Sequence, residues 1–227
     1  MRYIILSLSF LILFMITGCQ SQLNKPQFIF SSKQIVALSE QDILKFNEQV
    51  CRDEDKQSIV LAHDHVMSQR LHRLIQYLPN TINHLQLNYK VYLNTKPNAW
   101  SSANGCIRLN SGLIKLLTDD ELLAVIAHEQ GHIALKHAIH SFQHAPYIEI
   151  YDKANKTVVM IRNETAQQNE IDADNYAIEM LRKQKLNSAA LISMLMKMPV
   201  HNDVDLTSHP AISTRINHIS QKLKNIK

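Results

Sequence analysis

Residues 118–139 read TDDELLAVIAHEQGHIALKHAI, and this stretch decides how the rest of the chain is interpreted. Thr118 and Glu121 form the S/T-x-x-E pattern of a helix N-terminus, and three acidic residues lie in the first turn, where the helix dipole favours them. Apolar residues then recur with a helical period as far as Ile139. The pattern predicts a helix from about residue 119 to 143.

The middle of this predicted helix reads HEQGH over residues 128–132. His128 and His132 are four positions apart, so both imidazoles lie on one face of the helix. Two imidazoles at this spacing suit Zn²⁺, and Glu129 between them can act as a base on a metal-bound water. The five residues alone leave a chance occurrence of the motif in a buried helix as the alternative.

A third metal ligand is expected from a second polar helix, which contains EIDAD at residues 170–174. The metzincin continuation needs a glycine and a third histidine where this chain has Leu135 and Ala138, so that class is excluded. Glu170 would complete a His₂Glu site with one position left for water. Asp174, on the same helix face, would accept a hydrogen bond from the far nitrogen of one ligand His and fix its tautomer. The alternative for Glu170 is an exposed helix carboxylate.

Further motifs occur in a fixed order around these two helices. They are NAW at 98–100, NGC at 104–106, SGL at 111–113, HEQGH at 128–132, EIDAD at 170–174, and SHP at 208–210 followed by Arg215. In this order they resemble the HtpX-like gluzincin peptidases, relatives of the CAAX prenyl endopeptidase, over roughly residues 85–220. Within that family the chain is similar to the small bacterial lipoprotein metalloproteases of the LoiP type. It departs from the family in residues 141–165, which match no family motif, and in lacking the transmembrane helices of the HtpX and prenyl-peptidase branches.

The resemblance implies a fold, a cofactor and further site residues. The fold would be α+β, a mostly helical zincin-type domain with a small antiparallel sheet beside the HEQGH helix. It would hold one Zn²⁺ per chain and act on protein or peptide substrates. His209 and Arg215, from the C-terminal H-P-x(4)-R element, become catalytic candidates that could stabilise the oxyanion. Structural roles for both residues remain open, and so does a resting-state metal-ligand role for His209.

The N-terminus has the proportions of a signal peptide. Arg2 supplies a short positive region, and residues 3–16 are almost wholly apolar but shorter than the about 20 residues of a comfortable membrane span. The following ITGC resembles a lipobox and predicts lipidation of Cys19. Gln20 resembles an outer-membrane sorting signal, so we expect a lipid anchor in the outer membrane that faces the periplasm. An ordinary signal peptide and an uncleaved anchor are the alternatives.

The composition fits one compact domain on a tether. We assign residues 1–18 to the signal peptide, 19–55 to a tether and N-terminal helical region, and 56–227 to a zinc metallopeptidase domain. The net charge of the 227 residues is only +4, without a dense basic run, so nucleic acid is not expected as a partner.

Two cysteines remain besides Cys19, namely Cys51 and Cys106. An even number in an exported protein favours a disulfide between them, with two separate buried thiols as the alternative. A bond between these two residues would connect the N-terminal helical region to the rest of the domain.

The periodicity of the remaining sequence predicts several further elements. The predicted helices are one from Ser39 to about Cys51, one over 57–78 that ends at Pro79, and a short one over 111–117. The predicted strands are 89–93 and 107–109. The family resemblance implies in addition an edge strand beside the metal site in the segment 98–103. Because an exposed edge strand presents unpaired N–H and C=O groups, this segment could bind an extended peptide.

The sequence therefore predicts a zinc metalloendopeptidase that is tethered in the bacterial cell envelope. Misfolded or unassembled envelope proteins are the expected substrates. The alternative is an envelope chaperone or assembly lipoprotein whose metal site is structural or vestigial. The intact Glu129 argues against this alternative, because a structural zinc ion has no use for a base.

Overall fold

The computed structural model describes residues 28–31, 35, 38–153, 156–161, 166–198 and 212–225. Its helices are α1 (Glu40–Gln57), α2 (Val66–Ile75), α3 (Ser111–Leu116), α4 (Asp119–Ala134), α5 (His137–His144), α6 (Ala166–Lys183), α7 (Ala190–Lys197) and α8 (Ile212–Asn225). Its strands are β1 (Phe28–Ser31), β2 (Thr81–Ile82), β3 (Leu85–Gln86), β4 (Asn88–Tyr92), β5 (Ala99–Ser101), β6 (Cys106–Asn110), β7 (Tyr147–Lys153) and β8 (Lys156–Ile161). Helices predominate over small sheets, which confirms the predicted α+β class.

The sheet that packs against α4 has the strand order β4-β6-β5. Strand β6 pairs in parallel with β4 and antiparallel with β5, so the sheet is mixed and the antiparallel arrangement expected from the sequence holds for β5 and β6. The reason is that β6 enters between its two predecessors, and the two chain reversals before it restore the direction of β4. Among the described strands of this sheet, β5 therefore lies at one edge.

The turn between β5 and β6 contains Asn104 and Gly105. Gly105 has a φ of 86°, in the left-handed region that residues with a Cβ rarely adopt. Its N–H donates to the carbonyl of Ser102 at 3.1 Å. A Cβ at this position would lie 3.2 Å from the carbonyl oxygen of Gln86, so both the conformation and the available space favour glycine.

Helix α1 begins at the cap that the sequence predicts. The Ser39 side chain accepts a hydrogen bond from the N–H of Asp42, whose carboxylate accepts one from the N–H of Ser39. The helix continues past Cys51 to Gln57, about 1.7 turns further than predicted.

The helix predicted over residues 57–78 is wrong in its first half. Residues 58–65 form extended and turn structure instead, and the helix itself is limited to α2. The N–H of Leu61 donates to the carbonyl of Val91 at 2.9 Å, which attaches this segment to β4. Pairing with the sheet overrides the local helical pattern, as tertiary context often does.

The long helix predicted over residues 119–143 is interrupted. Helix α4 begins at the predicted Thr118 cap but ends just before Lys136, whose φ of 55° reverses the chain into α5. The Asn83 side chain donates to the last two carbonyl oxygens of α4, at 3.1 and 3.0 Å. Asn83 thus gives these two carbonyls a partner that the helix itself does not supply at its end. A side chain distant in sequence thus takes part in ending this helix.

Helix α4 lies in the centre of the main hydrophobic core. Its buried apolar residues are Leu122, Leu123, Ala124, Val125, Ile126, Ala127 and Ile133. They pack with residues of α2, α6, α7 and the mixed sheet. A smaller cluster joins α1 to α5, where the rings of Phe46 and Phe142 meet edge to face at 5.7 Å. Close packing on all sides fixes the direction in which the side chains of residues 128–132 project.

Residues 141–165, which match no family motif, contain the hairpin of β7 and β8. Strand β7 pairs antiparallel with β8 and also with β1, which brings the N-terminal strand to this hairpin. In the described part of the chain, no helix combines the length and the apolar character that crossing a membrane requires.

Candidate functional site

Helices α4 and α6 bring three metal-ligand side chains together. His128 and His132 project from α4 with their Nε2 atoms 3.1 Å apart. The carboxylate of Glu170, on α6, lies 3.3 Å from Nε2 of His128 and 3.5 Å from Nε2 of His132. Within the described ranges, these three residues form the group of His, Cys, Asp or Glu side chains that could hold a metal ion.

The size of this donor triangle fits a zinc ion. With ligand bonds of 2.0–2.1 Å, tetrahedral zinc keeps neighbouring ligand atoms about 3.3 Å apart. The observed separations of 3.1, 3.3 and 3.5 Å are all close to that value. Two imidazoles and one carboxylate are also a donor set of catalytic zinc sites, which keep one position open.

The two helices can approach this closely because the motif contains Gly131. A Cβ on this residue would lie 3.0 Å from the Cα of Ala173 and 3.1 Å from its carbonyl oxygen. Ala173 is fully buried and is the residue directly before Asp174 in the sequence. Two small residues at the crossing therefore set the distance at which Glu170 meets the histidines.

Asp174 lies fully buried behind His128, at the position expected from the sequence. Its Oδ1 is 2.9 Å from Nδ1 of His128. Arg215, on α8, donates to Oδ1 and Oδ2 of Asp174 at 2.7 and 2.8 Å. The same guanidinium lies 2.9 Å from Glu170. One arginine therefore holds both Glu170 and Asp174 in place.

The other ligand histidine has a different partner. Nδ1 of His132 lies 3.0 Å from Nδ1 of His137, the first residue of α5. The two rings meet edge to face, with centroids 5.0 Å apart. Each ligand imidazole is thus contacted on its far nitrogen, one by a carboxylate and the other by an imidazole.

Glu129 lies between the two histidines and faces the edge strand β5. Its Oε2 accepts a hydrogen bond from the hydroxyl of Ser101 at 2.7 Å. Burial raises the pKa of Glu129, while nearby His128 and the Ser101 bond act in the opposite direction. A carboxylate with a raised pKa is better suited to accept and return a proton near neutral pH.

The two ligand histidines differ strongly in protonation. Burial disfavours the charged form of His128, but hydrogen bonds to Asp174 and Glu170 outweigh burial and raise its pKa to about 9. Burial and the neighbouring His128 lower the pKa of His132 to about 3. Without a metal ion, His128 therefore takes up a proton more readily than His132.

Comparison with known families identifies the chain. The model of Peptidase family M48 matches residues 65–150 and 147–223, which together contain all of the residues in this cluster. The chain belongs to Peptidase family M48. This M48 chain is 29% identical to the metalloprotease LoiP of Escherichia coli strain K12 over 231 residues, which cover 92% of each protein. It is 26% identical to the metalloprotease YcaL of the same strain over 240 residues, or 94% of each. The predicted family is confirmed, and the M48 chain is a metallopeptidase.

Three further site residues are predicted from the sequence, and the structure describes Arg215 but not His209 or Cys19. Arg215 is expected from the resemblance as a catalytic candidate for the oxyanion, but its hydrogen bonds go to Asp174, and its ion pairs to Asp174 and Glu170. These contacts make the guanidinium a support for two carboxylates, and its catalytic role stays a prediction. His209 and Cys19 lie outside the described residues, so their roles stay predictions.

The structure pairs Cys51 of α1 with Cys106 of β6, with Cα atoms 6.7 Å apart. Arg108 lies beside this pair, 2% exposed, and donates to Cys51 and to both carboxylate oxygens of Asp55. Lys90 also donates to Asp55, at 2.8 Å. The ion pair of Arg108 with Asp55 and the cysteine pair thus attach α1 to the mixed sheet, of which β5 is the edge strand.

Two contacts of this site are not visible in the sequence. Ser101 belongs to the predicted edge segment, but no spacing rule connects it with Glu129, which is 28 residues away. His137 lies five residues after His132, a separation that brings no contact on a continuous helix. Both contacts arise because the chain changes direction between elements and so brings Ser101 and His137 to the site.

Proposed function

We propose that this chain is a zinc metalloendopeptidase, anchored in the bacterial cell envelope through Cys19. The observation that carries the proposal is the triangle of His128, His132 and Glu170, sized for zinc, with a carboxylate beside it. Zinc in such a site supplies a Lewis acid that polarises a carbonyl and lowers the pKa of water.

Glu129 is the proton carrier in this proposal. Its Oε2 is fixed by Ser101, and the other carboxylate oxygen is the atom that would take a proton from the attacking water and return it to the leaving amine. The raised pKa of Glu129 favours the return step. A base held at a set position argues against a purely structural metal site, the alternative function.

Arg215 and Asp174 act as positioning residues in this proposal. Asp174 accepts the Nδ1 proton of His128, which leaves Nε2 free to bind the metal ion. Arg215 compensates the charge of this buried carboxylate and directs Glu170 toward the histidines. His209 keeps the candidate role of donor to the oxyanion that the family resemblance implies.

Strand β5 supplies a binding edge for the substrate. Among the described strands, β5 pairs only with β6, on one of its two sides. The side chain of Ser101, which lies on β5, donates a hydrogen bond to Glu129. An extended peptide that adds to this edge would run past the carboxylate that handles the proton. Because backbone groups dominate such pairing, the proposed enzyme cleaves segments that are unfolded or exposed.

The envelope location rests on the N-terminal sequence. The ITGC motif after the apolar run supports lipidation of Cys19, and Gln20 supports sorting to the outer membrane with the enzyme facing the periplasm. Misfolded or unassembled envelope proteins are then the proposed substrates. Replacing Cys19 by Ser should block diacylglyceryl attachment, seen as a missing mass shift, and release the protein from membranes. Normal processing and unchanged membrane fractionation of this variant would reject the anchor.

The central test separates the metal ligands from the base. His128→Ala and Glu170→Ala should each lose zinc and activity, because each removes one of three protein ligands. Glu129→Gln should retain zinc and lose turnover, because its side chain is not a ligand. Elemental analysis and chelator-sensitive cleavage of casein give the two measurements. A zinc-free Glu129→Gln protein, or a wild-type protein without chelator-sensitive cleavage, would contradict the proposal.

A further inference from the structure

The two ligand imidazoles are supported in different ways, although they are equivalent in the motif. Nδ1 of His128 faces the carboxylate of Asp174 at 2.9 Å. Nδ1 of His132 faces Nδ1 of His137 at 3.0 Å. His137 is 7% exposed and therefore makes this contact inside the protein.

A continuous helix would not allow the contact between His132 and His137. At 3.6 residues per turn, a residue five positions further on lies about 140° around the helix axis. The change of direction at Lys136, with φ 55° and ψ 32°, ends α4 and turns the next residue back toward the metal site. The break in the helix is thus what delivers a second imidazole to His132.

The break is held by contacts outside the metal site. Nζ of Lys136 lies 2.8 and 3.0 Å from the two carboxylate oxygens of Glu40 on α1. Helix α5 buries Ile139 and Phe142 against α1, so its first turn has a fixed place. A left-handed conformation costs a residue with a side chain about 1 kcal/mol or more, and these contacts offset that cost.

The direction of the hydrogen bond follows from the donor triangle. Nε2 of His132 faces His128 and Glu170, so this nitrogen is the metal-binding atom and carries no proton. The ring proton of His132 then resides on Nδ1, which leaves His137 as its acceptor. His137 in turn carries its own proton on Nε2.

We propose that His137 is the positioning residue of the second histidine ligand, accepting the Nδ1 proton of His132 and thereby fixing its tautomer and ring direction. This inference rests on the proposed zinc site. His137 does not bind the metal ion itself. A neutral imidazole is a weaker acceptor than a carboxylate, so His132 would be a less basic ligand than His128 when a metal ion is bound.

The test compares the zinc affinity of the full chain with that of three variants. His137→Ala removes the acceptor, and His137→Asn returns an acceptor atom close to the position of Nδ1. His140→Ala, an exposed histidine of the same helix, is the matched control. Affinity is measured by competition with a chromophoric chelator, and the visible spectrum of the cobalt(II)-loaded proteins reports ligand geometry.

His137→Ala should weaken zinc binding about 10- to 100-fold, the usual effect of losing such a contact, and should shift the cobalt(II) spectrum. His137→Asn should restore most of both, and the His140→Ala control should match the wild type. Wild-type affinity in His137→Ala, or an equal loss in the Ala and Asn variants, would overturn the inference while the zinc site stands. A wild-type chain that binds no zinc would overturn the proposed function together with this inference.

Discussion

The hydroxyl of Ser101 donates to Oε2 of Glu129 across 2.7 Å, and this bond connects the edge strand to the motif helix. Side chains alternate along a strand, so the neighbouring Trp100 points to the other face, where its ring meets Tyr92. The backbone of Ser101 is part of the edge strand proposed to bind the substrate, while its side chain is hydrogen-bonded to the proposed base, Glu129. One residue therefore links the two parts of the proposed mechanism.

Ser101→Ala should lower kcat about tenfold, because a hydrogen bond to a charged group contributes about 1.5–3 kcal/mol and each factor of ten in rate corresponds to about 1.4 kcal/mol. KM and zinc content should stay at wild-type values, since backbone pairing and metal ligands are retained. Ser101→Thr keeps the hydroxyl and is the control, with kcat near wild type. Steady-state kinetics on a peptide substrate decide the matter, and an unchanged kcat in Ser101→Ala would contradict the role.

Asp174→Ala should weaken zinc binding or activity about 10- to 100-fold, because His128 loses the acceptor that fixes its tautomer. Asp172→Ala is the matched control on the same helix, since Asp172 is partly exposed and bonded to Gln168. Zinc content after dialysis against a weak chelator is the measurement. A fully metallated Asp174→Ala protein would return this residue to a purely structural role.

Arg215→Lys separates support of the carboxylates from direct catalysis. Lysine keeps the positive charge but lacks the planar fork that donates to both oxygens of Asp174. If Arg215 is a positioning residue, this variant should lose zinc affinity and kcat together. Full zinc content with a low kcat would instead indicate that Arg215 contacts the oxyanion, as the family resemblance implies.

Asp55 makes stability depend on pH. Burial raises its pKa, but hydrogen bonds from Arg108, Lys90 and Tyr92 outweigh burial and hold the pKa below its ordinary value. A carboxyl with a lowered pKa in the folded state stabilises that state above the unfolded pKa of about 3.9, and the contribution disappears as pH falls through the folded value.

Asp55→Asn should therefore cost about 3–5 kcal/mol of unfolding free energy at pH 6, because it leaves Arg108 buried without its charge partner. The difference from wild type should shrink in urea denaturation at pH 3. Asp53→Asn, whose ion pair with Lys56 is exposed, is the control and should cost little at either pH. An equal difference at both pH values would reject the assignment.

The pair Cys51 and Cys106 should behave as a disulfide in the exported protein. A bond across 55 residues contributes roughly 4 kcal/mol in the chain-entropy model. Cys51→Ser should therefore lower the melting temperature, and the oxidised wild type should migrate faster than the reduced protein on a gel. Free alkylation of both thiols without reduction would show that no bond forms.

The sequence by itself determined the parts of this site that lie within one helix. The Thr118 cap gives the start of α4, and the four-residue spacings of His128 with His132 and of Glu170 with Asp174 place each pair on one face. Such local periodicity does not depend on the rest of the fold, because a helix repeats every 3.6 residues wherever it lies. Spacing alone could therefore pair the two histidines, whereas Glu170 is expected from its residue type and from the need for a third ligand.

Tertiary structure alone decided what meets these helix faces. The Asn83 cap and the Glu40 ion pair accompany the break at Lys136 that brings His137 to His132, and the pairing of β5 with β6 brings Ser101 to Glu129. Each of these contacts involves residues that lie in different elements or in the turns between them. Local sequence carries no periodic signal for them, because their geometry depends on where the chain reverses and on which elements pack together.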